Sequence, residues 1–193
     1  GNNRNRRRKK QMHGTRLYEL QRYQLPVQIK KEGIEMTILK KIKSSITYCD
    51  GGAGTLLQSW GLKAGAHPEI WNLTNPDKII EMHRQYLEAG AQIITSCTFG
   101  ANKLKFDNVE EIVTAAIRNA KTACEGYDAY VALDIGPTGK MLEPLGDLTF
   151  EEAVSVFAET IKIGANAGAD LILIETMNDS YETKAAVIAA KEN

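Results

Sequence analysis

Short apolar runs alternate along this chain with longer segments in which apolar residues recur every three or four positions. The runs are Ile46–Cys49, Ala91–Thr98, Tyr130–Ile135 and Asp170–Ile174. Each run predicts a strand of a parallel sheet that is buried on both faces. The longer segments predict amphipathic helices between the strands and after the last one, up to Lys191. The order β-α-β-α-β-α-β-α therefore predicts an α/β fold.

Helix starts are marked by two kinds of signature. An asparagine followed by proline predicts an N-cap and the first helical residue, and two Asn or Thr residues followed three positions later by Glu predict capping boxes. These signatures are Asn75-Pro76, Asn108 with Glu111, and Thr149 with Glu152. The helix that begins at Pro76 carries His83 on its apolar face, where we interpret it as a packed core residue.

An internal repeat and the polar strand ends favour one architecture over another. Ala89–Ile94 matches Ala167–Ile172, which lies 78 residues later. A doubly wound sheet would place a Gly-x-Gly-x-x-Gly fingerprint after its first strand, and the glycine loop that follows Ile46–Cys49 does not match it. A (β/α)₈ barrel places polar residues at the carboxyl end of every strand, as here. Since such a barrel needs about 250 residues, we expect a TIM-barrel type fold with only the first four βα units present, a half-barrel.

The charge is distributed unevenly, although the net charge of the 193 residues is zero. Residues 1–45 hold 13 Lys or Arg against 3 Asp or Glu. We interpret residues 1–45 as a basic, disordered leader and residues 46–193 as the folded domain. A nucleic-acid-binding arm is the alternative for the leader, but no aromatic residues are interleaved with its basic cluster. We do not expect a nucleic-acid partner.

The three cysteines, Cys49, Cys97 and Cys124, show no short spacing that predicts a disulfide framework. Apolar runs are shorter than the roughly 20 residues of a membrane span, and no apolar segment follows the basic N-terminus as in a secretion signal. We therefore expect a cytoplasmic protein without a membrane partner. Cys49 and Cys97 end adjacent strands, so we expect them near each other, whereas Cys124 is predicted to pack in the core.

The stretch Ile46–Thr55 combines a strand, an acid and a loop with three glycines in four positions. Glycines let backbone N–H groups approach a ligand closely, and Asp50 adds a negative charge at the mouth of the loop. Glu175 places a second acid at another strand end, so the two could converge on a cation. An amino acid fits such a site. The competing interpretations are a turn-forming Asp50 and an ion pair between Glu175 and Lys184.

A succession of motifs at the strand ends carries a family resemblance. The motifs are Asp50–Thr55, Pro68-Glu69-x-Trp71-Asn72, Thr98–Asn102, Gly136–Gly139 and Glu175-Thr176. Together they closely resemble the homocysteine S-methyltransferase family, particularly the homocysteine-binding module of cobalamin-dependent methionine synthase. The resemblance covers about residues 46–193. Cys97 departs from it, because methionine synthases usually have Asn at this position.

The resemblance implies a (β/α)₈ barrel that binds homocysteine and zinc and transfers a methyl group to homocysteine, giving methionine. Asp50 and Glu175 match the family acids that hold the substrate's α-ammonium group. The remaining residues implied to surround the substrate are Gly52, Ala53, Gly54, Thr55, Thr98 and Phe99. Methylcobalamin is the implied donor, so a corrinoid domain or protein is an implied partner beside homocysteine.

The resemblance also implies that part of the enzyme is missing. The family's three zinc-binding cysteines come from the sixth and eighth strands, and we expect only four strands in this chain, so we expect these cysteines to lie beyond Asn193. We therefore expect a truncated product that binds neither zinc nor methylcobalamin, is inactive alone, and could pair with a missing C-terminal half-barrel. Two alternatives stay open, a related methyltransferase that uses betaine or S-methylmethionine, and a non-catalytic amino-acid-binding or assembly module.

Overall fold

The computed structural model describes residues 38–193, so most of the predicted leader, residues 1–37, lies outside the described part of the chain. The helices are α1 Ile38–Ser44, α2 Ala53–Ser59, α3 Trp71–Thr74, α4 Pro76–Glu88, α5 Val109–Cys124, α6 Phe150–Asn166 and α7 Ser180–Glu192. The strands are β1 Ile93–Thr95, β2 Tyr130–Ile135 and β3 Leu171–Ile174. A 3₁₀ turn, Pro68–Ile70, precedes α3.

The strands form a parallel sheet in the order β1-β2-β3, with Ile93 paired to Tyr130 and Ala132 paired to Leu171. The predicted first strand is reduced to a single parallel bridge between Cys49 and Ile93. The α/β class with a parallel sheet is confirmed. Three strands do not distinguish part of a barrel from part of an open sheet, so the half-barrel stays a proposal.

The apolar core lies between β2 and the helices that cover it. Val131, Leu133 and Ile135 alternate along β2 and join one buried cluster with α5 and α6. Leu133 packs so closely against α6 that a Cβ atom at Gly164 would lie 2.6 Å from its methyl group. This close packing fixes β2 relative to α6. The candidate site is built at the carboxyl ends of these strands.

The sequence signatures for helix starts had different outcomes. The capping box at Thr149 is confirmed, because its hydroxyl accepts a hydrogen bond from the Glu152 amide at 3.2 Å and its own amide donates to the Glu152 carboxylate at 3.0 Å. The capping box predicted at Asn108 is wrong. Its side chain caps no backbone amide, and its Nδ2 instead donates to the Glu111 carboxylate at 3.3 Å. Pro76 begins α4 as predicted and Asn75 holds the N-cap position, but the Asn75 side chain makes no capping hydrogen bond.

Helix α1 was not predicted, and it is anchored to the rest of the domain. The Lys41 side chain is buried, and its Nζ donates to the Asp128 carboxylate at 2.8 Å and to the Asp128 carbonyl at 3.1 Å.

Within residues 38–193, no helix is both long and apolar enough to cross a membrane. The packing predictions for His83 and Cys124 are confirmed, since both side chains lie buried.

The last helix, α7, ends one residue after the predicted end at Lys191. Asn193 is its C-cap residue, and the Asn193 Nδ2 atom donates to the Ala189 carbonyl at 2.8 Å. This bond satisfies one of the carbonyl groups that the last turn of a helix leaves without an intrahelical partner.

Candidate substrate-binding site

A cavity of about 520 Å³ opens where the strands end. The glycine loop lines one side of it, the turn after β1 lines another, and Leu173 of β3 lines it together with Glu175 and Thr176, which follow β3. Four acids line this cavity, namely Asp50, Glu69, Asp134 and Glu175, and no lysine, arginine or histidine of the described part of the chain lines it. The cavity is therefore a region of negative potential that favours a cationic ligand.

Asp50 links the end of its own segment to β1. One carboxylate oxygen accepts from the Thr95 amide and the other from the Thr95 hydroxyl, both at 2.9 Å. Its backbone amide donates to the Ile93 carbonyl at 3.0 Å, so Asp50 joins its own segment to β1 rather than forming a turn. Burial raises the pKa of Asp50 to about 6, although the hydrogen bonds from Thr95 lower it.

The glycine loop is held in place by a tyrosine of α4. The Tyr86 hydroxyl donates to the Gly52 carbonyl at 2.9 Å. The ring of Tyr86 also lies against Gly51, where a Cβ atom would approach it to 3.1 Å. Glycine at position 51 therefore allows the tyrosine to fix the loop beside Asp50.

Glu175 begins the loop after β3 and is exposed to solvent. Its backbone amide donates to the Ile135 carbonyl at 3.1 Å. The ion pairs of residues 38–193 do not include one between Glu175 and Lys184. The next residue, Thr176, has a φ angle of 54°, a left-handed conformation that is strained for a β-branched side chain. Strained backbone conformations of this kind cluster at active sites and ligand-binding sites.

Asp134 is a site residue that the sequence interpretation missed. It lies within β2 with only 6% of its surface exposed, and its Oδ1 atom has no hydrogen-bond partner among the described residues. Burial, and then the charges of Glu175, Asp50 and Glu69, raise its pKa to about 8. A single acid within an otherwise apolar run was the available signal, because burying an unpaired carboxyl group costs free energy.

Glu69 is a second buried acid whose cavity role was not predicted. Its Oε1 atom accepts from the Gly100 amide at 2.6 Å, and its Oε2 atom has no partner within residues 38–193. A Cβ atom at Gly100 would lie 2.6 Å from Oε1. Glycine at position 100 therefore lets the Glu69 carboxylate approach the Gly100 amide without a shift of the Glu69 side chain.

The other residues predicted to bind substrate fall into two groups. Gly52, Ala53, Gly54 and Phe99 line the cavity together with Asp50 and Glu175. Thr55 lines a neighbouring depression beside Tyr86. Thr98 is buried, and its hydroxyl donates to the Asp134 carbonyl at 2.8 Å. The substrate-binding roles of all these residues stay predictions.

A larger surface cleft of about 1200 Å³ lies between the loop after β2 and the start of α7. Its buried acid, Glu182, already accepts from the Thr138 amide at 2.8 Å and from the Thr138 hydroxyl at 2.6 Å. The smaller cavity is the better candidate site, because only there do buried carboxyl atoms lack a protein partner among the described residues.

The sequence model of one protein family matches residues 47–193, and its description is homocysteine S-methyltransferase. This match covers most of the chain and all of the strand-end residues described above. The chain belongs to the homocysteine S-methyltransferase family. The resemblance drawn from the strand-end motifs is thereby confirmed at the level of the family.

Solved structures agree with this assignment at the level of the fold. The homocysteine methyltransferase MmuM from Escherichia coli matches in its oxidized form, with a TM-score of 0.67 and 20% sequence identity over 78% of this chain and 60% of that one. Its metallated form matches with a TM-score of 0.67 and 20% identity over 79% and 61%. Its apo form matches with a TM-score of 0.64 and 22% identity over 78% and 57%. The chain thus spans about 60% of the length of this relative.

The described cysteines do not fit the zinc ion that the family resemblance implies. Cys49 and Cys97 line the same cavity. Burial first, and then nearby acids, raise the pKa of both thiols, which opposes the thiolate form that zinc requires. Within residues 38–193, no three His, Cys, Asp or Glu side chains are grouped so that they could hold a metal ion. Two statements stay predictions, namely that the chain binds no zinc and that the family's zinc cysteines lie beyond Asn193.

Proposed function

We propose that this chain forms the amino-acid-binding part of a homocysteine methyltransferase, in which Asp50 and Glu175 hold the α-ammonium group of homocysteine. One observation carries the proposal. The two acids come from opposite edges of the described sheet, yet they line one cavity, and among residues 38–193 no basic side chain lines it to neutralise them. Charge-assisted hydrogen bonds to an ammonium group would provide the missing positive charge.

The glycine loop supplies the second half of this proposal. Gly52, Ala53 and Gly54 line the cavity next to Asp50, and Tyr86 holds the loop from behind. Backbone amides of such a loop can approach the substrate's carboxylate group closely because no side chain intervenes at the glycines. The site would then recognise both charged groups of an amino acid.

The proposed reaction also needs zinc ligands and a methyl donor, in addition to the residues described above. We propose that the four strand segments are the first half of a (β/α)₈ barrel, and that the zinc ligands come from the rest of the barrel wall. The proposed reaction is methyl transfer to the homocysteine sulfur, giving methionine, with methylcobalamin delivered by a corrinoid domain or protein. Methionine formation by the intact enzyme with betaine or S-methylmethionine in place of methylcobalamin would overturn the proposed donor.

Calorimetry tests the binding function directly. Titrating the chain with L-homocysteine should show binding, and Asp50→Asn and Glu175→Gln should each weaken it about tenfold or more, because each removes a charge-assisted hydrogen bond. The matched control is Asp147→Asn, which neutralises an exposed acid outside the cavity lining and should leave the Kd unchanged. Equal affinity for homocysteine in wild type and both cavity variants would overturn the proposal.

A further inference from the structure

The carboxyl group of Asp134 has one oxygen atom, Oδ1, without a hydrogen-bond partner among residues 38–193. Its side chain lines the cavity, 6% of the residue is exposed, and Oδ1 finds no donor among the described residues. Buried polar atoms in proteins are nearly always hydrogen-bonded, so an orphaned carboxyl oxygen needs an explanation. A ligand that enters the cavity would supply the missing donor.

The backbone of Asp134 is held from two sides, which fixes the direction of this carboxyl group. The Asp134 amide donates to the Ser96 hydroxyl at 3.3 Å, and the Thr98 hydroxyl donates to the Asp134 carbonyl at 2.8 Å. The two hydroxyl groups also lie 2.9 Å from each other. Two residues that follow β1 thus position the backbone of Asp134, and its side chain lines the cavity.

We propose that Asp134 is a third acid of the ammonium site, accepting a hydrogen bond from the substrate's α-ammonium group alongside Asp50 and Glu175. The inference rests on the proposed function and adds a residue that neither the sequence motifs nor the family match assigns. An ammonium group has three N–H donors, so three carboxyl groups from three strand segments would satisfy it completely. Each of the three acids lines the same cavity.

The charges that face Asp134 make this contact sensitive to protons. Glu175, Asp50 and Glu69 are the charged groups that act on it, and the Cys97 thiol also lines the cavity. Because burial and these acids hold its pKa at about 8, Asp134 is mostly protonated at pH 7 in the empty cavity. An arriving ammonium group favours the carboxylate and expels the proton. Homocysteine binding at pH 7 should therefore release close to one proton.

Calorimetry in two buffers with different ionisation enthalpies measures this proton release. For the wild-type chain titrated with L-homocysteine at pH 7, we expect release of most of one proton. Asp134→Asn keeps the shape of the side chain and removes its titration, so we expect the release to disappear and the Kd to rise about tenfold. For 4-mercaptobutanoate, which lacks the ammonium group, Asp134→Asn should leave the Kd unchanged. Asp147→Asn is again the matched control, and circular dichroism checks the fold of each variant.

The outcomes separate this inference from the function on which it rests. If Asp50→Asn weakens homocysteine binding while Asp134→Asn leaves the Kd unaltered, the third-acid role is overturned and the proposed function stands. If the wild-type chain binds homocysteine without releasing a proton at pH 7, the inference fails whatever the variant does. If the wild-type chain binds no homocysteine, the proposed function fails and the inference with it.

Discussion

At the scale of single residues, burial is the largest cause of the pKa shifts of Asp50, Asp134 and His83. Burial raises the pKa of Asp50 to about 6 and that of Asp134 to about 8, so the folded chain holds protons that the unfolded chain has lost. These two acids therefore lower stability progressively as the pH rises from about 4 to about 8. Burial acts on His83 in the opposite sense, because it disfavours the charged imidazolium and lowers the pKa to about 4.

His83 should contribute a loss of stability in mild acid, opposite in sign to the contribution of Asp50 and Asp134. Its side chain is fully buried, and neither ring nitrogen has a partner within residues 38–193. Since the folded pKa of about 4 lies below the ordinary value of 6.5, the unfolded state takes up a proton first as the pH falls between these values. We expect about 2 kcal/mol of unfolding free energy to be lost through His83 between pH 7 and pH 5.

Urea unfolding of His83→Leu at the two pH values measures this contribution. The carboxyl groups contribute equally to wild type and variant, so the difference between the two proteins isolates His83. Between pH 7 and pH 5, the change in unfolding free energy of the variant should be about 2 kcal/mol more stabilising than that of wild type. His67→Leu is the matched control at an exposed histidine. An identical pH dependence in wild type and His83→Leu would contradict the prediction.

At the scale of elements, one sequence signature gave two different structures. Thr149 and Asn108 are each followed by Glu at the third position, but only Thr149 has the extended backbone of an N-cap, with φ −72° and ψ 159°. Asn108 has φ −108° and ψ 40°, which turns its side chain away from the helix amides. The residue types predict a side chain that can cap the helix. The preceding loop determines whether the N-cap residue has the extended backbone that capping requires.

Alanine substitutions should reproduce this contrast. Thr149→Ala removes the hydroxyl that accepts from the first turn of α6, so we expect a loss of about 1 kcal/mol in unfolding free energy. Asn108→Ala removes no backbone cap of α5 and should cost less than half as much. Thermal or urea unfolding of the two variants measures both values. A loss at Asn108 as large as that at Thr149 would show that Asn108 caps α5 after all.

Local patterns predicted the elements well where local forces determine them. The strand Tyr130–Ile135 has the predicted bounds because all of its residues except Asp134 are apolar. Helix α1 was missed because Lys41 is held by Asp128, which lies 87 positions away. The strand-end acids Asp50 and Glu175 were predicted from their position, whereas Asp134 was missed. Its significance depends on the absence of a partner, and sequence spacing does not show which buried atoms lack one.

At the scale of the whole molecule, the edge strand β3 is less buried than the other two strands of the described sheet. Every residue of β1 and β2 except Thr95 and Tyr130 is buried, whereas all four residues of β3 are only half-buried. Within residues 38–193, β3 is paired with β2 alone. Its other edge therefore presents backbone N–H and C=O groups next to apolar side chains, which is a template for pairing with another strand.

This edge should make the chain self-associate in a way that depends on β3. We expect sedimentation velocity at increasing concentration to show dimers or larger species, because edge pairing would satisfy the open backbone groups and bury Leu171 and Leu173. Leu171→Lys places a charge at the edge and should shift the chain towards monomer, whereas Val187→Lys, on the exposed face of α7, should not. A wild-type chain that stays monomeric and unfolds cooperatively would contradict the prediction. In that event the β3 edge is protected by contacts other than strand pairing, and the half-barrel proposal would lose its main physical consequence.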